Sequence, residues 1–188
     1  MANIHGNQSA KTISGQYPHN LAILIQSLII FIAGAGAVIM HARFRNPIGL
    51  PGHHGLEFMA LAATSVLFFK FKLRGVIFSL GVGSALFLPF IGYTDPFFEL
   101  VFMLPAVVLC LFADFIKIGD KIVPLLFMIF GGIAYMTIPL ARLVIHAFTA
   151  YPYKSLLANP FYVVIMHFVF GFAGTLLGYY IHKGFKKA

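Results

Sequence analysis

The sequence predicts an all-α, polytopic membrane protein built as a bundle of six transmembrane helices. Hydrophobic residues make up 60% of the 188 residues and charged residues only 10%. Soluble domains contain about 45–50% apolar and about 25% charged residues, because their surface must be solvated by water. The apolar residues also fall into six runs close to the length of about 20 residues that a helix needs to cross a bilayer.

The first three predicted spans lie in the N-terminal half of the chain. The first, Leu21–Ala42, is interrupted by only two polar residues. The second, Leu56–Phe69, is short, and it lengthens if the side chains of Lys70 and Lys72 reach back to the interface. The third, Gly75–Gly92, follows a basic turn. The polar segments between these runs are short, so we expect neighbouring spans to be antiparallel.

The last three spans carry clearer start signals. The fourth, Pro96–Phe115, and the sixth, Pro160–His182, begin with proline directly after Asp95 and Asn159. Asp and Asn cap helix N-termini, and proline fits the first helical position. The fifth span is Ile122–Ala147. None of the six shows the period-two alternation of membrane β-strands.

The distribution of Lys and Arg predicts the orientation. By the positive-inside rule, the side with more of these residues faces the cytoplasm, and here this places both termini there. The loops at residues 43–55, 93–95 and 148–159 then face outward. The richer side holds Lys11, Lys70, Lys72, Arg74, Lys117, Lys121, Lys183, Lys186 and Lys187, and the other side holds Arg43, Arg45, Arg142 and Lys154.

The domain division follows from the same pattern. Residues 1–20 are polar with little periodicity and are interpreted as a cytoplasmic tail, and residues 21–185 form one membrane domain. An alternative takes Leu21–Ile32 as the apolar region of a signal peptide and Ala33–Ala37 as its cleavage site. The long, weakly basic leader argues against that alternative.

Polar residues gather on the predicted outer side, and we interpret them as a ligand-binding site. On the fifth span, Tyr135, Arg142 and His146 share one face, because their spacing follows the helical period. His167 lies about two turns inside the sixth span, where an ionisable residue normally faces the bundle interior or a wet cavity. The candidate binding residues are Arg43, Arg45, Asn46, His53, His54, Glu57, Tyr93, Asp95, Tyr135, Arg142, His146, Tyr151 and His167.

Several of these residues also have a structural explanation. The presence of Asp95 is also explained if it is simply a helix cap. Arg43 and Arg45 can equally anchor to lipid headgroups. His53 and His54 are either solvated or metal ligands, and a metal site would require a tight turn. The prolines and glycines of residues 43–55 form a shaped segment that can act as a lid over a small ligand.

The sequence argues against several functional classes. No HExxH, GxSxG or nucleotide-binding motif is present, so we expect no enzymatic activity and no cofactor. The single Cys110 excludes disulfide and cysteine-based zinc frameworks. The formal charge of +8 fits a cytoplasmic membrane face better than a nucleic-acid partner.

Residues 21–185 resemble the substrate-binding S components of energy-coupling-factor (ECF) transporters. The resemblance consists of six spans in a chain of this size, Ala33 and Ala37 four apart in the first span, and the shaped loop at 43–55. It also includes the segment KFKLRGVIFSLGVGS and the basic C-terminal end. It implies that the chain captures a vitamin-like ligand at its outward loops and helix ends.

The resemblance also implies partners and a location. Ala33 and Ala37 would dock on a transmembrane coupling subunit, two cytosolic ATPases would drive ligand release, and the chain would lie in the cell membrane. The four outward bases favour an anionic or zwitterionic ligand. Internal packing is an equally good explanation of the small residues in the first span.

Two alternative functions stay open at this point. One is a membrane haem or metal protein, or an enzyme, that uses its histidines. The other is an accessory subunit that has no ligand and only assembles a larger membrane complex. The histidines of the first alternative are His41, His53, His54, His146 and His167.

Overall fold

The computed structural model describes residues 19–43, 49–88, 95–118 and 121–186. Apart from one antiparallel pair of two-residue strands, its regular structure is helical, which confirms the predicted all-α class. The elements in chain order are α1 (His19–Arg43), α2 (Gly55–Phe68), α3 (Arg74–Leu86), α4 (Phe98–Phe115), β1 (Lys117–Ile118), β2 (Lys121–Ile122), α5 (Pro124–Thr149), α6 (Lys154–Ala158) and α7 (Pro160–Phe185).

Four helices, α1, α4, α5 and α7, are long and apolar enough to cross a membrane. The helices α2 and α3 contain 14 and 13 residues, and at 1.5 Å per residue each is about 20 Å long. That is shorter than a bilayer core of about 30 Å. Large apolar side chains cover the outer surface, including Phe115, Phe148 and Phe161, each more than four-fifths exposed. Such a surface suits lipid better than water.

Several helix boundaries differ from the prediction. The fourth helix begins at Phe98 rather than Pro96, so Pro96 is not its first residue, and Asp95 accepts the N–H of Phe97 from outside the helix instead of being its N-cap residue. The fifth helix begins at Pro124 rather than Ile122, because Lys121 and Ile122 pair with the preceding strand. Proline then takes the first helical position, where its missing N–H leaves no bond unmade. The short helix α6 lies within residues 148–159, which the sequence predicts as loop. Neither the strand pair nor α6 has a periodic apolar pattern long enough to predict it.

Glycine permits the closest helix contacts. A Cβ atom on Gly34 or Gly81 would collide with the backbone of the facing helix, so α1 and α3 meet backbone to backbone. A Cβ on Gly174 would lie 2.5 Å from the carbonyl oxygen of Gly55, and one on Gly178 would lie 2.6 Å from that of Ala60. These contacts join α7 to α2. Small residues at such interfaces let membrane helices approach closely, as these four glycines do.

The small residues of α1 do not share one environment. Ala37 is 1% exposed and belongs to the core, and Ala33 is partly buried and packs against that core. A Cβ on Gly36, in contrast, would have no atom within 4 Å. The burial of Ala37 is explained by internal packing, and docking of Ala33 and Ala37 on a partner stays a prediction.

The two ends of the bundle have different chemistry. At one end, called the Arg142 end, the start of α2 and the ends of α1 and α5 bring His41, His54 and Arg142 together. At the other end, called the Arg74 end, buried Arg74 forms an ion pair with Asp114 of α4. The Arg74 guanidinium also donates to two backbone carbonyls, 3.1 Å away at Val66 and 2.9 Å away at Phe71. A cation on the carbonyl end of a helix is electrostatically favourable.

Candidate functional site

A cavity of about 370 Å³ opens at the Arg142 end, within the size range of small-ligand sites. Residues from α1, α2, α4, α5, α6 and α7, or from the segments beside them, contribute to its wall. Seven of the fifteen lining side chains are aromatic or imidazole rings. The lining residues are His41, Pro51, Gly52, His54, Phe98, Phe102, Tyr135, Pro139, Arg142, Ser155, Leu156, Asn159, Tyr162, Val163 and His167.

The segment before α2 forms part of the floor of the cavity. Gly52 has a left-handed φ of +76°, a conformation that favours glycine. A Cβ there would lie 2.9 Å from Nδ1 of His167, and a Cβ on Gly55 would collide with the Tyr135 ring. The imidazole of His53 also contacts the carbonyl oxygen of Leu50. Residues 52–55 therefore pack closely against α5 and α7. Residues 44–48 of the predicted shaped loop lie outside the described residues, and its role as a lid stays a prediction.

Arg142 is the only charged residue among the described residues of the lining, and its charge has a partner. Its guanidinium lies 3.2 Å from the Oδ2 atom of Asp95, and both side chains are mostly buried. The other carboxylate oxygen of Asp95 accepts the backbone N–H of Phe97 at 3.0 Å. The guanidinium carbon also lies 5.8 Å from the ring centres of Phe98 and Phe102, which places it in cation–π contact. Arg142 is thus held between a carboxylate and two ring faces.

The short helix α6 and the residues before it cover one side of the cavity. The hydroxyl of Tyr153 donates to Oδ1 of Asp95 at 3.2 Å, which ties this cover to the start of α4. Burial, and next the Asp95 carboxylate, raise the pKa of Tyr153 to about 12, so the phenol keeps its proton. Leu156 is buried beneath the cover. The chain turns into the cover at Ala150, which has a left-handed φ of 56°.

Three imidazole rings form a row at the edge of the cavity. The ring centre of His54 lies 4.1 Å from that of His41 and 3.8 Å from that of His53. Nδ1 of His54 lies 3.9 Å from a carboxylate oxygen of Glu57, too far for a hydrogen bond. Burial, and next the neighbouring His53, lower the pKa of His54 from its ordinary value of 6.5. His54 therefore faces the cavity as a neutral ring at pH 7.

The opposite wall is formed by a stacked pair of rings. The Tyr135 ring of α5 and the His167 ring of α7 lie 5.2 Å apart at an interplanar angle of 24°. Nδ1 of His167 contacts the carbonyl oxygen of Val163 at 2.7 Å, one turn earlier in the same helix. This contact fixes the ring orientation and leaves the Nε2 atom as the other polar position of the imidazole.

The structure brings together some of the residues predicted from the sequence. His54, Tyr135, Arg142 and His167 line the cavity. A second group contacts those lining residues or the loops beside them, and consists of His53, Glu57, Asp95, Tyr151 and His146. Arg43 is exposed and is not among the lining residues. Arg45, Asn46 and Tyr93 lie outside the described residues.

His146 has a structural role that its helical spacing did not reveal. Its Nδ1 atom lies 2.8 Å from the carbonyl oxygen of Tyr151. The stripe of Tyr135, Pro139 and Arg142 does reach the cavity, but His146, one turn later, holds the following segment instead. Contact between His146 and a ligand stays a prediction.

Sequence reasoning missed most of the apolar wall. Phe98 and Phe102 lie one turn apart on α4 with ring centres 3.9 Å apart, and they support Arg142. Their spacing after Asp95 was the available signal, because one turn separates residues that share a helix face. The sequence also gave no sign that the cavity is lined by Ser155, Leu156 and Tyr162, since no local pattern shows that α6 folds over it.

The arrangement suits reversible binding better than metal chemistry. Within the ranges that the structure describes, no three His, Cys, Asp or Glu side chains are grouped so that they could hold a metal ion. The neighbouring imidazoles are tilted against one another, at interplanar angles of 53° for His41 and His54 and 37° for His53 and His54. No protein-family model, curated protein or solved structure matches the chain.

Proposed function

We propose that this chain is a membrane-embedded binding subunit of a nutrient uptake transporter, and that it captures a small vitamin-like molecule in the cavity at the Arg142 end. The observation that carries the proposal is the cavity itself. It combines a mostly apolar, ring-rich wall with a few convergent polar groups, which is the usual composition of a small-ligand site. Arg142, His54 and His167 supply the polar groups.

The proposed topology has six spans and cytoplasmic termini in the cell membrane. The short helices α2 and α3 fit this topology because they pack against other helices over much of their surface. Lys70 and Lys72 follow the end of α2 at the Arg74 end, Lys183 lies in the last turn of α7, and Lys186 directly follows α7. By the positive-inside rule this end faces the cytoplasm, and the cavity then opens outward.

The proposed partners are a transmembrane coupling subunit and two ATPases, as in ECF transporters. The support for these partners is a resemblance of sequence pattern, together with a chain that carries no nucleotide-binding motif of its own. A separate energy source would then be required for release of a tightly held ligand.

The test is purification of the wild-type chain in mild detergent, followed by mass spectrometry of small molecules and of co-purifying proteins. We expect one small molecule at about one copy per chain, together with a membrane protein and an ATPase pair. The absorption spectrum and metal content are recorded on the same sample.

Each rival function has its own signature in this experiment. A Soret band or one bound metal ion per chain would favour the haem or metal alternative over the proposal. Partner proteins without any small molecule would favour an accessory subunit. Absence of both ligand and partners would contradict the proposal directly.

A further inference from the structure

The charge balance of the cavity carries information about its ligand. Among the residues that the structure describes, the lining contains no Asp, Glu or Lys, and its only charged member is Arg142. Asp95 lies behind Arg142 with its Oδ2 atom 3.2 Å from the guanidinium. Asp95 is fixed there by the N–H of Phe97 and the hydroxyl of Tyr153. The Arg142–Asp95 pair therefore carries no net charge before any ligand enters.

An anionic ligand is disfavoured by this pairing. It would approach Arg142 in competition with a carboxylate that is already ordered by two other donors. It would also bring a second negative charge close to Asp95, and like charges in a partly buried site repel strongly.

A cationic ligand is disfavoured for a different reason. Aromatic faces attract cations, but the guanidinium of Arg142 already lies over Phe98 and Phe102 at 5.8 Å and over Tyr153 at 5.5 Å. No acidic side chain among the lining residues offers an incoming cation an alternative.

One polar position of Arg142 still points to a ligand. Its Nε–H is buried and has no hydrogen-bond partner within the described part of the chain. A buried donor without a partner costs about 1–3 kcal/mol, and a neutral carbonyl oxygen of a ligand would satisfy it. Rings supply seven of the fifteen lining side chains, so a flat ring of a ligand would meet mostly aromatic and imidazole groups in the wall.

From this geometry we infer that the cavity selects an uncharged molecule that carries a flat aromatic ring and a carbonyl-type acceptor, with the acceptor directed at Arg142. This inference rests on the proposed function and specifies its ligand class. It replaces the anionic ligand that the sequence suggested, because that expectation counted the outward bases without the partner of Arg142.

The test uses four probes of nearly equal size on the full chain in lipid nanodiscs, with binding followed by ligand-observed NMR. Benzamide is flat and neutral, benzoate is anionic, benzamidine is cationic, and cyclohexanecarboxamide is neutral without a flat ring. We expect benzamide to bind at least tenfold more tightly than each of the other three.

The variant Asp95→Asn tests the cause of the preference. It leaves Arg142 without its counter-charge, so the affinity for benzoate should rise at least tenfold relative to the affinity for benzamide. Glu99→Gln is the matched control, since it removes the same charge one turn later on α4, and it should leave the wild-type order unchanged.

The outcomes separate this inference from the proposed function. Equal or tighter binding of benzoate or benzamidine to the wild type, or equal binding of cyclohexanecarboxamide, would overturn the inference. Failure of all four probes to bind at about 10 mM would also overturn it. The proposed function would survive either result if a charged or aliphatic molecule co-purified with the chain, and would fall only if nothing did.

Discussion

Arg142 shows how a single residue can be both a structural and a binding element. Its guanidinium contacts the Asp95 carboxylate on one side and the faces of Phe98 and Phe102 on the other. Removal of one member of a buried ion pair leaves the other charge uncompensated, whereas removal of both is much less destabilising.

We therefore predict a strong interaction between two substitutions. Arg142→Gln should lower the free energy of unfolding by about 1–3 kcal/mol, because Asp95 loses its counter-charge in a mostly buried position. Adding Asp95→Asn should recover part of this loss, since an asparagine oxygen can still accept from Phe97 and carries no charge. Thermal unfolding of the three variants in detergent measures the effect, and strictly additive losses would contradict it.

The surroundings of His54 predict how the stability of the fold depends on pH. Burial, and next His53, hold its folded-state pKa below 6.5. Above pH 6.5 the ring is neutral in the folded and the unfolded chain, so its full contribution to stability is present. As the pH falls below 6.5, the unfolded chain binds the proton first, and stability declines until the pH reaches the folded-state pKa.

The measurement is the unfolding temperature between pH 7.5 and pH 5 for the wild type and for His54→Asn. His53, His41 and Glu57 lie in the same cluster and are present in both proteins. The informative quantity is therefore the slope of unfolding temperature against pH, compared between the wild type and His54→Asn. We expect a shallower decline in the variant, and identical slopes would show that His54 contributes nothing.

At the scale of elements, close backbone contact between helices positions the cavity wall. Gly55, at the start of α2, lies directly against the Tyr135 ring of α5, and Gly174 of α7 lies against the carbonyl oxygen of Gly55. Three helices are thus held in register at the point where Tyr135 and His167 form their stacked pair.

Two glycine substitutions test this packing. Gly55→Ala should lower the free energy of unfolding by about 1–3 kcal/mol, because its methyl group would overlap the Tyr135 ring. Gly36→Ala is the control, since its methyl group would meet no atom within 4 Å. It should be neutral or stabilising by less than about 1 kcal/mol, because alanine favours helix. Equal effects of the two substitutions in thermal unfolding would contradict this account.

The sequence predicted elements better than the contacts between them. Helical periodicity placed Tyr135 and Arg142 on one face, and the isolated His167 indicated the interior, and both predictions agree with the cavity. Periodicity cannot show which neighbouring helix a face meets. The pairing of Asp95 with Arg142 joins positions 47 residues apart, so the sequence indicated a capping or ligand-binding role for Asp95 but not this ion pair.

Helix α6 was not predicted from the sequence, for a related reason. Its five residues are too few to show a period, and its order depends on the bond between Tyr153 and Asp95 and on burial of Leu156. The third span was predicted to run to Gly92, but α3 ends at Leu86, because an apolar run can continue beyond the point where hydrogen-bonded helix ends. The length of α2, in contrast, matches its predicted span.

At the scale of the whole molecule, the asymmetry between its two ends predicts its orientation. The Arg142 end carries the cavity, whereas Lys70 and Lys186 follow helices that finish at the Arg74 end. The positive-inside rule places the Arg74 end in the cytoplasm. Both termini then lie on the same side.

Cysteine labelling tests this orientation, and buried Cys110 makes the native background low. We expect a membrane-impermeant maleimide to modify Ser155→Cys in intact cells, because Ser155 is exposed at the Arg142 end. Lys186→Cys should react only after the cells are permeabilised. Reaction of Lys186→Cys in intact cells, with protection of Ser155→Cys, would reverse the proposed orientation.

The central claim is that the cavity holds one small molecule, and native mass spectrometry of the intact chain tests it most directly. Val163→Trp should fill the cavity from α7, whereas Val169→Trp places the same side chain at an exposed position of that helix. We predict a single small-molecule adduct on the wild type and on Val169→Trp, and none on Val163→Trp. A cooperative thermal unfolding transition should show that all three proteins are folded. An adduct that persists on Val163→Trp, or a wild-type chain with no adduct, would contradict the claim.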